Sequence, residues 1–239
     1  MSPSTFAAVL VCAMPMEERP LVKPLRLRRQ PVGDQPARVG DLDGRSVATI
    51  VTGMGPALAG AAMERLLATT RPDRVVVVGI TGAVDDETPI GTLVVPEVVI
   101  DGATGQEHRP ELLSLQRPRG AMWTTDRLTP ADELPALIER GVVSLDMETA
   151  AVAARCEAAG VPWSVFRAIS DRASDGSVDE EIFALSHQDG TPDGGAVLRY
   201  VVRHPGRIPH LARLGRGSRL ATRIAAAAAV RALRAGPGG

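Results

Sequence analysis

Aromatic residues make up only 3% of the 239-residue chain: three Phe, two Trp and one Tyr. A surface that stacks the bases of single-stranded nucleic acid needs more rings than that, so nucleic acid is not an expected partner. Two cysteines, Cys12 and Cys156, are too few for a disulfide framework or a four-cysteine zinc site, and no metal or other cofactor is expected. No apolar run reaches about 18 residues, so no membrane-spanning helix is expected. The N-terminus has no basic segment ahead of an apolar one and reads as no secretion signal, which makes the cytoplasm the default location. With 44% apolar and 23% charged residues, the chain has enough material for a sizeable core.

The net charge of −1 conceals an asymmetry. From Gly194 to Gly239 there are nine Arg, two His and no acid, a charge of +9 against −10 for the first 193 residues. Such a split suggests a docking segment, an anionic membrane surface among its candidate partners. The expected organisation is an α/β domain over residues 1–187. A basic helical extension over 188–239 then packs on or beside it.

Short apolar runs mark buried strands at Phe6–Cys12, Arg74–Gly79 and Trp163–Ile169. Ala37–Asp41 and Arg45–Val51 flank Asp43-Gly44, a hairpin signal. Thr92–Asp101 is a further strand region, with Pro96 arguing for an edge or bulge. Helices are expected over 18–29, from Gly55 to Ala68, and over 147–159, 178–187, 194–203 and 208–234. The stretch 102–141 has no clear pattern. Strands separated by helices imply an α/β fold, whose ligands bind beyond the carboxyl ends of the strands. Met14–Glu17, Gly53–Gly55, Gly79–Gly82 and Ser170-Asp171 all follow strands, so they are candidates for one crevice.

Each of these stretches has a chemical reading and a plain one. Gly53-x-Gly55 brings backbone N–H groups close to a ligand, or makes only a tight strand-to-helix turn. Gly79-Ile80-Thr81-Gly82 leaves room for a ligand, or is a turn. Asp146 suits a helix N-terminus. Glu148, if it faces the crevice, is a natural acceptor for the two hydroxyls of a ribose diol. Asp171 is placed to protonate a leaving group, or to cap with Ser170.

Taken in order, these motifs resemble the purine nucleoside phosphorylase/uridine phosphorylase superfamily, especially its 5′-methylthioadenosine/S-adenosylhomocysteine nucleosidase branch. The residues carrying the resemblance are Val11-Cys12-Ala13-Met14-Pro15-Met16-Glu17-Glu18 and Thr52-Gly53-Met54-Gly55. They continue with Pro72-Asp73-Arg74 through Gly79-Ile80-Thr81-Gly82-Ala83 to Gly91-Thr92-Leu93-Val94-Val95. Asp146-Met147-Glu148-Thr149-Ala150-Ala151 and Arg167-Ala168-Ile169-Ser170-Asp171 complete them. The resemblance implies a single-domain twisted mixed sheet flanked by helices, usually a dimer or larger, acting on a small nucleoside. It implies that Asp171 protonates the base at N7 and that Glu17 activates a water. Met147 and Glu148 would hold the ribose with Met14 nearby, and Gly55, Gly82 and Ser170 would complete the substrate-binding set.

The chain departs from that pattern in several places. Asp146 replaces a more usual Glu. The segment between Asp101 and Asp146 is short, and the ring that stacks on the purine is replaced near Asp126-Arg127-Leu128, with Trp123 as a candidate substitute. The related phosphorylases hold phosphate with arginines where this chain has Met14–Glu17 and Val77-Val78, so hydrolysis is expected. Arg19 is the residue that offers another phosphate contact. Asp189-Gly190-Thr191-Pro192-Asp193, Arg203-His204-Pro205-Gly206-Arg207-Ile208-Pro209 and Leu211-Ala212-Arg213 resemble the hopanoid-associated branch, which is linked to removing adenine from adenosylhopane to leave ribosylhopane. That resemblance implies an apolar 5′ group and work at a membrane surface. The alternatives are a 5′-methylthioadenosine/S-adenosylhomocysteine or futalosine hydrolase, a phosphate-dependent phosphorylase and a non-catalytic nucleoside binder.

Overall fold

The computed structural model describes residues 4–113, 117–172, 195, 199–200 and 203–236. Helices expected over 178–187 and most of 194–203, and the Asp189–Asp193 stretch, lie outside the described residues. The described chain forms a large mixed α/β sheet flanked by helices.

The first apolar run splits in two. β1 (Ser4–Phe6) pairs with β6 (Thr70–Pro72), while β2 (Ala8–Cys12) enters the main sheet beside β5 (Arg45–Val51). β4 (Ala37–Leu42) and β5 form the expected hairpin, and β3 (Arg28–Arg29) pairs beyond β4. Asp43 and Gly44 both have positive φ, 54° and 84°, as a tight two-residue turn requires. The helix expected over 18–29 is instead α1 (Pro15–Val22). Pro15 takes the first turn, where its missing N–H does no harm, and Glu17 reaches back to the Met14 backbone as a capping box. Pro24 stands just past the end, and Arg28–Arg29 are extended.

Three further corrections concern strand ends. β7 (Val75–Ala83) does not stop at Gly79 but runs through Gly79-Ile80-Thr81-Gly82. β13 (Trp163–Arg172) likewise carries Ser170 and Asp171 inside the strand. The Thr92–Asp101 region is two strands, β8 (Leu93–Val94) and β9 (Val98–Asp101), divided at Pro96. The unpatterned stretch supplies β10 (Glu107–His108), β11 (Ala121–Thr124), α3 (Leu134–Glu139) and the start of the path into β12 (Val142–Asp146).

Along the main sheet the order is β10-β9-β11-β12-β7-β2-β5-β4-β3, with β13 on the other side of β7. β7 changes partner along its length. Val75–Val77 pair parallel with β2, and Gly82-Ala83 pair antiparallel with β12. Between them, Gly79 and Ile80 face a seam.

Alternation along the strands sorts two cores. Val9, Val11, Val75 and Val77 pack under α2 (Pro56–Thr69) and α4 (Thr149–Ala158). Leu10, Val76, Val78 and Phe166 pack under α1 and α5 (Ile208–Ala235). Val75–Val78 are at most 1% exposed, and burying each valine is worth about 1.5–3 kcal/mol. α5 sits close because its buried face is Ala221, Ala225, Ala228, Ala229 and Ala232. At Gly217 a Cβ would fall 2.5 Å from the Ser170 carbonyl oxygen, so only glycine allows that approach.

Candidate active site

Glu17 fills the seam in the sheet. It occupies the third position of α1 and is 1% exposed. Its Oε2 accepts the backbone N–H groups of Ala13 at 2.7 Å and Met14 at 3.0 Å. Its Oε1 accepts the N–H of Ile80 at 2.8 Å. The neighbouring Gly79 is what admits it: a Cβ there would stand 2.3 Å from Oε1. Burial raises the Glu17 carboxyl above its ordinary range, while Arg167 and the three N–H donors pull the other way.

Arg167 is the hub on the other side of β7. It is buried in the middle of β13 and donates from Nη1 to the Ile80 carbonyl at 2.8 Å. Nη2 lies 2.7 Å from Asp146 Oδ2 and 3.1 Å from Glu148 Oε2, and Nη1 lies 3.8 Å from Glu17 Oε1. Burial disfavours its charge, but the three carboxylates outweigh that and hold the guanidinium protonated. Asp146, the last residue of β12, accepts from Thr124 Oγ1 at 2.6 Å, from the Thr149 N–H at 2.9 Å and from the Thr149 hydroxyl. It thus satisfies the helix start, as its position suggested, and anchors Arg167 as well.

Glu148 is the residue just before α4. Its Oε1 accepts the Gly55 N–H at 2.9 Å. Gly55 has φ of 95°, a conformation suited to glycine. Burial pushes the Glu148 carboxyl up to about 7, against the pull of Arg167 and with a further push from Asp146.

Asp171 is positioned by a β-bulge. Ile169 pairs with Thr81 and Asp171 pairs with Gly82, so Ser170 is an extra residue between them. A bulge re-aims the side chains that follow it. The Ser170 hydroxyl donates to Asp171 Oδ1. A Cβ at Gly82 would lie 3.4 Å from Asp171 Oδ2, an ordinary contact distance that sets the two residues side by side.

Met14, Glu17, Gly82, Met147, Glu148, Ser170 and Asp171 all line one cavity of about 950 Å³. Gly55 does not line it but holds Glu148. The four strand-end stretches therefore converge on one crevice, although two of them prove to be strand rather than turn. Trp123 is not in the lining: it lies on β11 with the Arg140 guanidinium 4.8 Å above its ring. From that part of the chain the lining takes Thr125, Arg127, Leu128 and Thr129 instead. Two contributors were not assigned roles from sequence. Arg167 entered only as the first residue of the motif that ends at Asp171. The face of α5 carrying Leu214, Ser218, Arg219, Thr222 and Arg223 looked like tail.

Among solved structures, the chain superimposes on 5′-methylthioadenosine/S-adenosylhomocysteine nucleosidase from Neisseria meningitidis in complex with methylthio-immucillin-A. The TM-score is 0.72 and the identity 16%, covering 97% of this chain and 99% of that one. S-adenosylhomocysteine nucleosidase from Streptococcus pyogenes, in complex with 5-methylthiotubericidin, gives 0.73 at 16% identity, covering 98% of each chain. Futalosine hydrolase of Helicobacter pylori gives 0.71 at 14%, covering 96% of this chain and 97% of that one. At such identities the likeness is one of fold. The family described as the phosphorylase superfamily matches residues 7–113 and 113–203, most of the chain. The protein is therefore a member of the phosphorylase superfamily.

Proposed function

We propose that this protein is a nucleosidase that hydrolyses the N-glycosidic bond of a 5′-substituted purine nucleoside. One observation carries the reading: Asp171, Glu17 and Glu148 line the same cavity. Breaking an N-glycosidic bond leaves negative charge on the base and cationic character on the sugar. An acid on the base side and carboxylates on the sugar side stabilise both developing charges.

In this reading Glu148 accepts hydrogen bonds from the ribose diol, held in place by Gly55 and Arg167. Glu17 takes a proton from the attacking water. Burial makes it a stronger base than an exposed carboxylate, and its fixed N–H donors hold its orientation. Asp171 delivers a proton to the departing purine. Water rather than phosphate is favoured because the anion would have to enter beside Glu17. Among the described residues that line the cavity the one buried arginine, Arg167, is already engaged by Asp146 and Glu148.

The test is release of free base from a panel of 5′-methylthioadenosine, S-adenosylhomocysteine, futalosine and an adenosyl lipid, with and without inorganic phosphate. Hydrolysis gives free ribose-type product at equal rates in both. Strict dependence on phosphate with a ribose 1-phosphate product would reverse the assignment to phosphorolysis.

The outward side of α5 supports an attachment to anionic lipid. Ile208 and Leu220 are each 47% exposed, and Arg213 and Arg216, which lie between them in the sequence, are exposed as well. Basic residues near such a surface contribute about 1 kcal/mol each. Among the described residues no helix is long and apolar enough to cross a membrane. Co-sedimentation with anionic vesicles at low salt, lost at high salt, is the expected result; no sedimentation at low salt rejects the attachment.

A further inference from the structure

The cavity does not end at the four carboxylates. At about 950 Å³ it lies near the top of the range of about 300–1,000 Å³ typical of ligand pockets, so it has room beyond an unsubstituted nucleoside. The extra space is walled by α1, α5 and the 125–129 segment.

On α5 the lining residues recur at 214/215, 218/219 and 222/223, four apart, which places them on one face. That face presents Arg219 and Arg223 one turn apart, and α1 adds Arg19. The side chains of these three have no hydrogen-bond or ion-pair partner among the described residues. Arg127, by contrast, is paired with Glu133. Ser218 and Thr222 already donate to backbone carbonyls of α5, at Leu214 and Arg219, so the guanidiniums are the unused donors on this wall. Two like charges at this spacing repel each other, and a bound anion removes that cost. The wall is also fixed, because Gly217 and the alanine face seat α5 against β13.

We propose that this outer chamber binds an anionic group, a carboxylate or phosphate, carried by the nucleoside substrate away from the scissile bond and gripped by Arg219 and Arg223 with Arg19. Guanidinium groups are suited to both anions through paired N–H donors. Leu214, Met16 and Pro20 supply an apolar lining for the linker between ribose and anion. The proposal rests on the nucleosidase reading above. The same arginines offer a site to free phosphate as a co-substrate, and the test separates the two.

Initial rates are measured for 5′-methylthioadenosine and its analogue ending in a carboxylate on the same thioether, for adenosine and adenosine 5′-monophosphate, and for an adenosyl lipid, with and without inorganic phosphate. Calorimetry of adenosine and adenosine 5′-monophosphate gives a readout that needs no cleavage. The expected result is about tenfold or greater preference in kcat/KM for the anionic partner of each pair, weakened by salt and unaffected by added phosphate. In Arg219→Gln/Arg223→Gln the ratio falls towards one. These are exposed side chains, and an unchanged circular dichroism spectrum confirms the fold. Equal or better use of the neutral nucleoside, preference for the adenosyl lipid, stimulation by phosphate, or a ratio that survives in the double variant each overturns the proposal. If no nucleoside is cleaved, the nucleosidase reading falls. Tighter binding of the monophosphate, lost in the double variant, then still upholds the chamber, and equal binding removes it.

Discussion

In the proposed hydrolysis Asp171 and Glu148 have opposite needs, one a proton to give and the other a charge to keep. Asp171→Asn preserves size but has no acidic proton to transfer, so kcat is expected to fall by about 10²–10⁴-fold while the circular dichroism spectrum is unchanged. Turnover near wild type would remove Asp171 from the acid role. Glu148 must be ionised to accept from a diol, and its carboxyl is pushed up to about 7. kcat/KM for a ribonucleoside should therefore fall as pH drops through about 7, and Glu148→Gln should erase that limb. The same shift has a stability consequence of opposite sense. A carboxyl whose value is higher in the folded state than in the unfolded one stabilises at low pH. That contribution is lost as pH rises from the ordinary carboxylate range, about 4.3, through about 7. Thermal unfolding midpoints should fall across that window and flatten in Glu148→Gln. Both carboxylates were legible from sequence, since each sits beside a strand end or helix start. Arg167 was not, because its role depends on which residues the neighbouring strands bring opposite it.

At the scale of elements, the seam in β7 decides where the Glu17 carboxylate sits. Gly79→Ala would put a methyl group 2.3 Å from Glu17 Oε1, in a site closed on the far side by Arg167. The variant is expected to lose most turnover while still binding nucleoside, measured as kcat against KM. Unchanged kcat would mean that Glu17 tolerates displacement. Gly217→Ala tests the other contact, since its Cβ would meet the Ser170 carbonyl at 2.5 Å. A lowered melting temperature together with reduced turnover is the expected outcome, because α5 has to shift away from the strand that carries Asp171. Sequence patterning located the valine strand, the Asp43-Gly44 hairpin and the long alanine-bearing helix well. It ended β7 and β13 too early because glycine and a Ser-Asp pair read as turn signals. Here they are a gap for a side chain and a bulge, and both depend on partner strands far away in sequence. It also made Trp123 a base-stacking candidate by proximity alone, although that ring sits beneath Arg140.

Across the whole molecule, the division of charge between the first 193 residues and the remainder has a local counterpart inside the cavity. The carboxylates come from α1, β12, the residue before α4 and β13, and the uncommitted arginines come mostly from α5. What looked from sequence like a basic appendage packs its alanines over Val76, Val78, Phe166 and Ala168. This arrangement orders events during synthesis. When Arg172 has been added, all four carboxylates and their supporting arginine already exist, but the wall at 214–223 does not. A nascent chain at that stage has the carboxylates without the enclosure, and α5 must dock before the cavity is complete. α5, made after all four carboxylates, is thus the element that completes the cavity.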